Sequence, residues 1–383
     1  MPYQHHFSHY HLPRLKEMGR IFWCHSVSAF GISLAAIFVP LFLLKIGYGF
    51  SEVLFFLLAQ QILALLFQVP ASKLLSRISP HHMLAIGTLL QCGFFGFLIT
   101  LENPNQPLIY LAIFWALNRS IYWAAFHYVF GESRAHAQSG RQVAGINALI
   151  IFSATAAPAI GGITASAFGI NYVYFIAVAF LVAAVLPMLK ANQGPACVKL
   201  AMPISKIKLM RRDGLANFFN GMVVMSEVYI WPILIYLLVD SYAGVGVMSS
   251  LIAFVSVFVT LYAGKRLDSG KAGNYLKRGL GTYSLTSLGR ALAQSGSHVF
   301  GLNVLGGIGR SLYITPFMNK YYTNSDGSFR LGYITVMEAS FSLGAAIYLA
   351  ALLILAAFLS VKIVLAAGLV IVAGGALGVR LIR

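Results

Sequence analysis

Asn118-Arg119-Ser120-Ile121-Tyr122 lies inside a long apolar run, and Gly309-Arg310-Ser311-Leu312-Tyr313 lies inside another, 191 positions further on and half the chain away. Two more matches occur in the same order. Ala71-Ser72-Lys73-Leu74-Leu75-Ser76 pairs with Ala263-Gly264-Lys265-Arg266-Leu267-Asp268, and Leu43-Leu44 to Tyr48 pairs with Leu237-Leu238 to Tyr242. Three ordered matches at nearly one offset imply two halves in parallel repeat.

The runs around these motifs set the solvent. Hydrophobic residues make up 59% of the 383 residues and charged ones 10%. That composition could not clothe a water-exposed surface, so the chain uses lipid as a solvent. A helix needs roughly 20 apolar residues to span the bilayer. Twelve such segments are expected, near 21–44, 53–72, 83–101, 107–130, 143–167, 171–189, 214–239, 246–264, 279–298, 299–319, 331–355 and 361–380. The ninth and tenth are the hardest to divide, because Arg290, Gln294 and His298 interrupt them.

The net charge of +17 would point to nucleic acid on a soluble face. Here the basic residues sit in alternate loops. Of the 27 lysines and arginines, Lys45 and Lys362 fall near external loops, Arg119, Arg290 and Arg310 fall within helices, and the rest lie in tails or cytoplasmic loops if the N-terminus is cytoplasmic. The positive-inside rule therefore places both termini in the cytoplasm of a multi-pass cell-membrane protein, the inner membrane in a bacterium. The expected organisation is a tail over 1–20, a six-helix bundle over 21–189, a basic linker over 190–213 and a second bundle over 214–383. Lys190, Lys199, Lys206, Lys208, Arg211 and Arg212 mark the linker as an orientation signal beside anionic lipid. Cys24, Cys92 and Cys197 are too scattered for a disulfide framework or a metal site. The histidines of the tail, His5, His6, His9 and His11, form no assigned site.

Gly264-Lys265-Arg266-Leu267-Asp268-Ser269-Gly270-Lys271 follows the eighth segment. It resembles the Gly-x-x-x-Asp-x-Gly-Lys/Arg loop of the major facilitator superfamily, an all-α fold of twelve transmembrane helices in two six-helix pseudo-repeat bundles. In the first-half copy Ser72 and Ser76 replace the Gly and the Asp. Ala157-Pro158-Ala159-Ile160-Gly161-Gly162 in the fifth segment looks like the superfamily's antiporter motif, with Ala157 in place of its first Gly. The competing reading is an ordinary kinked, close-packed helix. The resemblance implies gating roles for Gly264, Asp268, Gly270, Pro158, Gly161 and Gly162. It also sets helices four, seven and ten around a central path, helix eleven at the interface and helix nine outside.

An ionised side chain near the bilayer centre costs about 2.5–3.5 kcal/mol on insertion scales, so each should meet a partner or a cavity. Arg119, Arg310, Glu227 and Glu338 are the candidates for solute binding or coupling, with Tyr122 and Tyr313 beside the repeated arginines. Glu227 is the first choice for a proton site, with Arg119 or Arg310 within reach of it. Arg290 reads as structural or snorkelling. His25, Gln60, Asn147, Asn217, Asn220, Trp123 and Trp231 are softer candidates.

The expected function is secondary active transport of a small solute by alternating access, with proton-coupled efflux of amphipathic molecules as the first reading. The alternative is proton symport importing an organic anion. A membrane-embedded transferase would need converging polar groups, and Glu132, Arg134 and His136 are the nearest cluster. No cofactor, metal or nucleic acid is expected, and the chain is read as a monomer.

Overall fold

The computed structural model describes residues 11–135, 155–189, 200–267 and 272–382. Among the described residues the chain forms twelve helical segments: α1 (His11–Ala35, continued by a 3-10 turn Ala36–Phe38 and Val39–Lys45), α2 (Phe50–Leu75), α3 (Pro80–Ile99), α4 (Ile109–Ala135), α5 (155–168) and α6 (Ile170–Leu189). Then come α7 (Ile207–Met225, a π turn Ser226–Ile230 and Trp231–Val239), α8 (Tyr242–Leu267), α9 (Ala272–Ala291), α10 (Gly296–Asn324), α11 (Arg330–Ala356) and α12 (Val361–Ala376, closed by a 3-10 turn Leu377–Leu381). Eight of the described segments are long and apolar enough to cross a membrane. The ninth and tenth helices part at Leu292–Ser295, so His298 opens α10 and the expected division at 298 moves toward the N-terminus. Helix also begins at His11 and Ile207, inside the stretches read as tail and linker.

Local chemistry sets several helix ends. Pro80 opens α3 where a proline's missing N–H is no loss, and the Ser79 hydroxyl accepts the His82 N–H at 3.3 Å. The Ser295 hydroxyl caps α10 in the same way, on His298 N–H at 3.4 Å. Gly169 alone joins α5 to α6, at φ 99°, a left-handed conformation that a side chain would strain.

The packing repeats after six helices. The pairs α2–α4, α3–α4 and α3–α6 of the first bundle recur as α8–α10, α9–α10 and α9–α12 in the second. The agreement reaches single residues. Gly87 of α3 lies against Tyr122, where an added Cβ would come within 2.8 Å of the Tyr122 Cβ; Gly279 of α9 lies against Tyr313, where it would come within 2.5 Å of the Tyr313 nitrogen. Outward faces carry large apolar side chains, including Phe55, Leu66, Phe168, Leu285, Leu292 and Phe358, each more than half exposed. A surface of that kind suits lipid contact.

Two seams join the bundles. Along one, α2 packs on α11, and the Thr335 hydroxyl donates to the Ser72 hydroxyl at 2.8 Å. Along the other, α5 meets α8: the Ala159 N–H donates to the Ser250 hydroxyl at 2.9 Å and the Ala243 N–H to the Ser166 hydroxyl at 3.0 Å. Here Gly161 and Gly162 face different neighbours. A Cβ on Gly161 would strike the Leu34 carbonyl of α1, and one on Gly162 the Tyr242 carbonyl of α8; one on Gly246 would in turn strike the Pro158 carbonyl. The motif thus brings the α5 backbone against both bundles.

Candidate functional site: two buried ion pairs

The intramembrane charges sort into two clusters, each around one carboxylate. The first spans the bundles. Arg119, near the middle of α4, donates through Nη2 to Glu338 Oε2 of α11 at 3.1 Å, and its guanidinium lies 4.2 Å from the Phe341 ring centre. Two helical turns further along α4, His127 Nε2 stands 3.5 Å from the other carboxylate oxygen, Glu338 Oε1. The second imidazole nitrogen, Nδ1, is 2.7 Å from the Tyr322 hydroxyl of α10. Both carboxylate oxygens therefore face positive or hydrogen-bonding groups, as a charge in a water-poor site requires.

The second cluster lies wholly within the second bundle. Arg290 of α9 donates to both oxygens of Glu227, from Nη1 at 2.6 Å and from Nη2 at 3.3 Å, and the Tyr283 hydroxyl adds a third bond at 2.8 Å. Its guanidinium lies 4.7 Å from the Trp231 ring centre, and Trp231 donates to Asn303 at 2.8 Å. Gly306 leaves room for the guanidinium. Glu227 sits in the π turn of α7, one turn before Pro232, whose missing N–H leaves a carbonyl of the preceding turn without its helical partner.

This arrangement revises two expectations. Arg119 reaches Glu338, not Glu227, and the partner of Glu227 is Arg290. Arg290 is 0% exposed and does not snorkel. Helix nine, assigned to the outside by resemblance, turns Arg290 and Tyr283 inward onto Glu227, the carboxylate that compensates the arginine's charge among the described residues. Arg310, half-buried, adds a more distant positive influence on Glu227.

The remaining candidates are placed as follows. The Tyr122 hydroxyl shares a hydrogen bond with His25 Nδ1 at 2.8 Å, in a stack where the His25 and Phe126 ring centres are 3.9 Å apart and Trp123 closes one edge. Tyr313 is fully buried, edge-on to Tyr283. Gly264 lies near the end of α8, whereas Asp268 and Gly270 are outside the described residues, as is Asn147. Asn217 donates to the Met337 carbonyl at 2.8 Å and so packs α7 on α11. Sequence reasoning missed His127. It lies eight positions after Arg119 on the same helix, and an inventory of buried ionisable groups that included histidine would have held it.

A family model for the Major Facilitator Superfamily matches residues 21–296, well over half of the chain. The chain belongs to that superfamily. As a superfamily member it is a multi-pass membrane protein and a transporter of small solutes. Among solved structures it is similar to a point mutant of the nucleoside transporter NupG, with 10% identity, a TM-score of 0.71, and coverage of 96% of this chain and 98% of that one. A POT family transporter in complex with 5-aminolevulinic acid gives 11% identity, a TM-score of 0.74 and coverage of 100% and 97%. The human organic anion transporter MFSD10 (TETRAN) gives 11%, 0.70, and coverage of 97% and 100%. At such identities the likeness is one of fold. No curated protein sequence matches this superfamily member.

Proposed function

We propose that this protein is a proton-coupled secondary transporter that exports amphipathic small molecules, with Glu338 as the carboxylate that loads the proton. One observation carries the reading: the Arg119–Glu338 pair is an intramembrane ion pair that ties one bundle to the other. In alternating access the bundles move relative to each other, so a contact between them changes with the cycle while a contact within one does not. Protonating Glu338 removes its charge, releases Arg119 and weakens the tie between α4 and α11. Solute and proton then compete for the same state of the site. Glu227 is held by Arg290 and Tyr283 inside one bundle, which supports a structural role for it in place of the coupling role expected from sequence. The rings of His25, Tyr122, Trp123 and Phe126 beside the charged cluster favour a solute with an apolar body.

In this reading residues 21–189 and 214–383 are the two moving bundles, joined by the linker 190–213, with both termini cytoplasmic and a monomer as the working unit. Gly264, Asp268 and Gly270 latch one conformation, and Pro158, Gly161 and Gly162 form the bearing between bundles. Arg310 supports a second reading, symport importing an organic anion, because no carboxylate pairs with it among the described residues.

The test is paired measurement in liposomes of exchange between equal compartments and of flux driven by a pH gradient, over a panel of amphipathic cations and organic anions. Glu338→Gln should keep exchange and lose the pH-driven component. Full pH-driven flux in Glu338→Gln would remove the proton role, and uptake of anions alone would favour the second reading.

A further inference from the structure

We propose that His127 is the proton relay between Glu338 and the cytoplasmic end of the bundles, with Tyr322 as its partner on the side away from the carboxylate. The inference rests on the proton-coupled reading above and identifies the route by which the proton leaves for the cytoplasm, the side on which α4 and α10 end when both termini are cytoplasmic. Arg119 donates to Glu338 Oε2, Tyr321 lies beside the same carboxyl, and His127 Nε2 faces Oε1 at 3.5 Å. On the far side of the ring, Nδ1 is 2.7 Å from the Tyr322 hydroxyl. The imidazole thus stands between a carboxylate and a phenol contributed by two other helices, α11 and α10.

Burial sets the whole chain of groups away from bulk water, so a proton must pass between side chains to reach the carboxyl. Glu338 and His127 are each 6% exposed, and Tyr322 is 8% exposed. Along α4, His127 lies eight residues beyond Arg119 and five before Glu132, roughly 12 Å and 7.5 Å at the helical rise. Glu132 is exposed, so the imidazole lies between the ion pair and the watered end of the bundle. The titratable and charged groups around it are Arg119 on α4, Glu338 on α11, Tyr321 and Tyr322 on α10, and His25 on α1. With Arg119 already positive, the economical route keeps the ring neutral throughout, so that no second cation rests beside the guanidinium.

The step balances without any further reagent. A hydronium at the watered end gives a proton to the Tyr322 oxygen as the Tyr322 O–H proton passes to His127 Nδ1. The His127 Nε2–H bond breaks as its proton forms an O–H bond with Glu338 Oε1. Water, the phenol and the imidazole each end with their usual number of protons; Glu338 alone has gained one. The transfer is reversible: run backwards, the Glu338 proton passes to His127 Nε2, the Nδ1 proton to the Tyr322 oxygen and the Tyr322 proton to water, which delivers the proton to the cytoplasm in the export cycle and restores the first tautomer.

The test reads Glu338 directly and needs no solute. In proteoliposomes subjected to a rapid drop in pH, time-resolved infrared difference spectroscopy follows the carbonyl-stretch band of a protonated carboxyl, assigned by its loss in Glu338→Gln. His127→Gln keeps a polar side chain of similar reach but cannot shuttle a proton between two nitrogens. It should slow growth of the band on the order of 10²-fold while the final amplitude at each pH stays that of the wild type. Tyr322→Phe should slow it in the same direction, and carries the test alone if His127→Gln does not fold. Unchanged rates in both variants would overturn the relay while leaving Glu338 as the proton site, as would a changed amplitude at unchanged rate, which marks a structural histidine. Absence of any band that Glu338→Gln abolishes would overturn the coupling role of Glu338 itself, and the relay with it.

Discussion

Arg290 and Glu227, 63 positions apart, meet through hydrogen bonds of 2.6 and 3.3 Å at a place where the arginine has no exposed surface. Removing one member of such a pair strands the other charge, at a cost of about 3–5 kcal/mol. Glu227→Gln and Arg290→Met should each lower the thermal midpoint in detergent sharply, and should lower transport only in proportion to the folded fraction. The double variant should recover part of the stability, because no charge is then left unpaired. A stable Glu227→Gln protein that has lost only pH-driven flux would return the coupling role to Glu227.

Arg119→Lys should not behave as a conservative change. The guanidinium both donates to Glu338 and stacks on Phe341 at 4.2 Å, and an ammonium lacks the flat face for the second contact. Losing about 1.4 kcal/mol of pairing corresponds to a roughly tenfold change in the equilibrium it controls. Proton-driven flux should fall by about that factor while the protein still folds, which size-exclusion profiles and flux in the same preparation would check.

The glycines of α5 provide a steric test. Gly161→Ala places a methyl group against the Leu34 carbonyl, and Gly162→Ala one against Tyr242. Overpacking of this kind costs about 1–3 kcal/mol, so both variants should lose thermal stability and transport. Gly96→Ala is the control: nothing lies within 4 Å of its would-be Cβ, and the change should be neutral or slightly stabilising.

The helices are legible in the sequence because each apolar run must satisfy its own backbone in lipid, and the six-helix repeat is legible because Arg119 and Arg310 recur with their tyrosines. The partnerships of the charges are not. Nothing in the order of residues tells Glu227 to choose Arg290 over Arg310, since the choice depends on how α9 rotates against α7. His127 escapes for a simpler reason: a histidine in an aromatic run reads as packing until its neighbours from α10 and α11 are known. The Ser72 departure from the family loop is visible in the sequence, but its hydroxyl contact with Thr335 depends on the α2–α11 seam.

That contact gives a further expectation. Ser72→Ala and Thr335→Val each remove one side of a buried hydrogen bond between bundles, a loss of about 1 kcal/mol. Because the bond exists only while α2 and α11 are together, the single variants should shift the conformational equilibrium toward separation of that seam, and their effects should not add in the double variant. Accessibility of single cysteines placed beside the seam, measured by labelling rate, would read the shift; additive effects would show the two hydroxyls to be independent.

The distances in sequence between paired charges also constrain how the chain is born. At about 5–20 residues per second of synthesis, Glu227 reaches the membrane roughly 3–13 seconds before the arginine 63 residues later that will neutralise it. Arg119 precedes Glu338 by 219 residues, or about 11–44 seconds at the same rate. For those intervals each newborn helix holds an uncompensated charge, at a cost of about 2.5–3.5 kcal/mol on insertion scales. The nascent first bundle must therefore shelter its arginine from lipid until the eleventh helix has been made, and truncation of the gene before that helix leaves a product whose instability begins at a residue far upstream of the lesion.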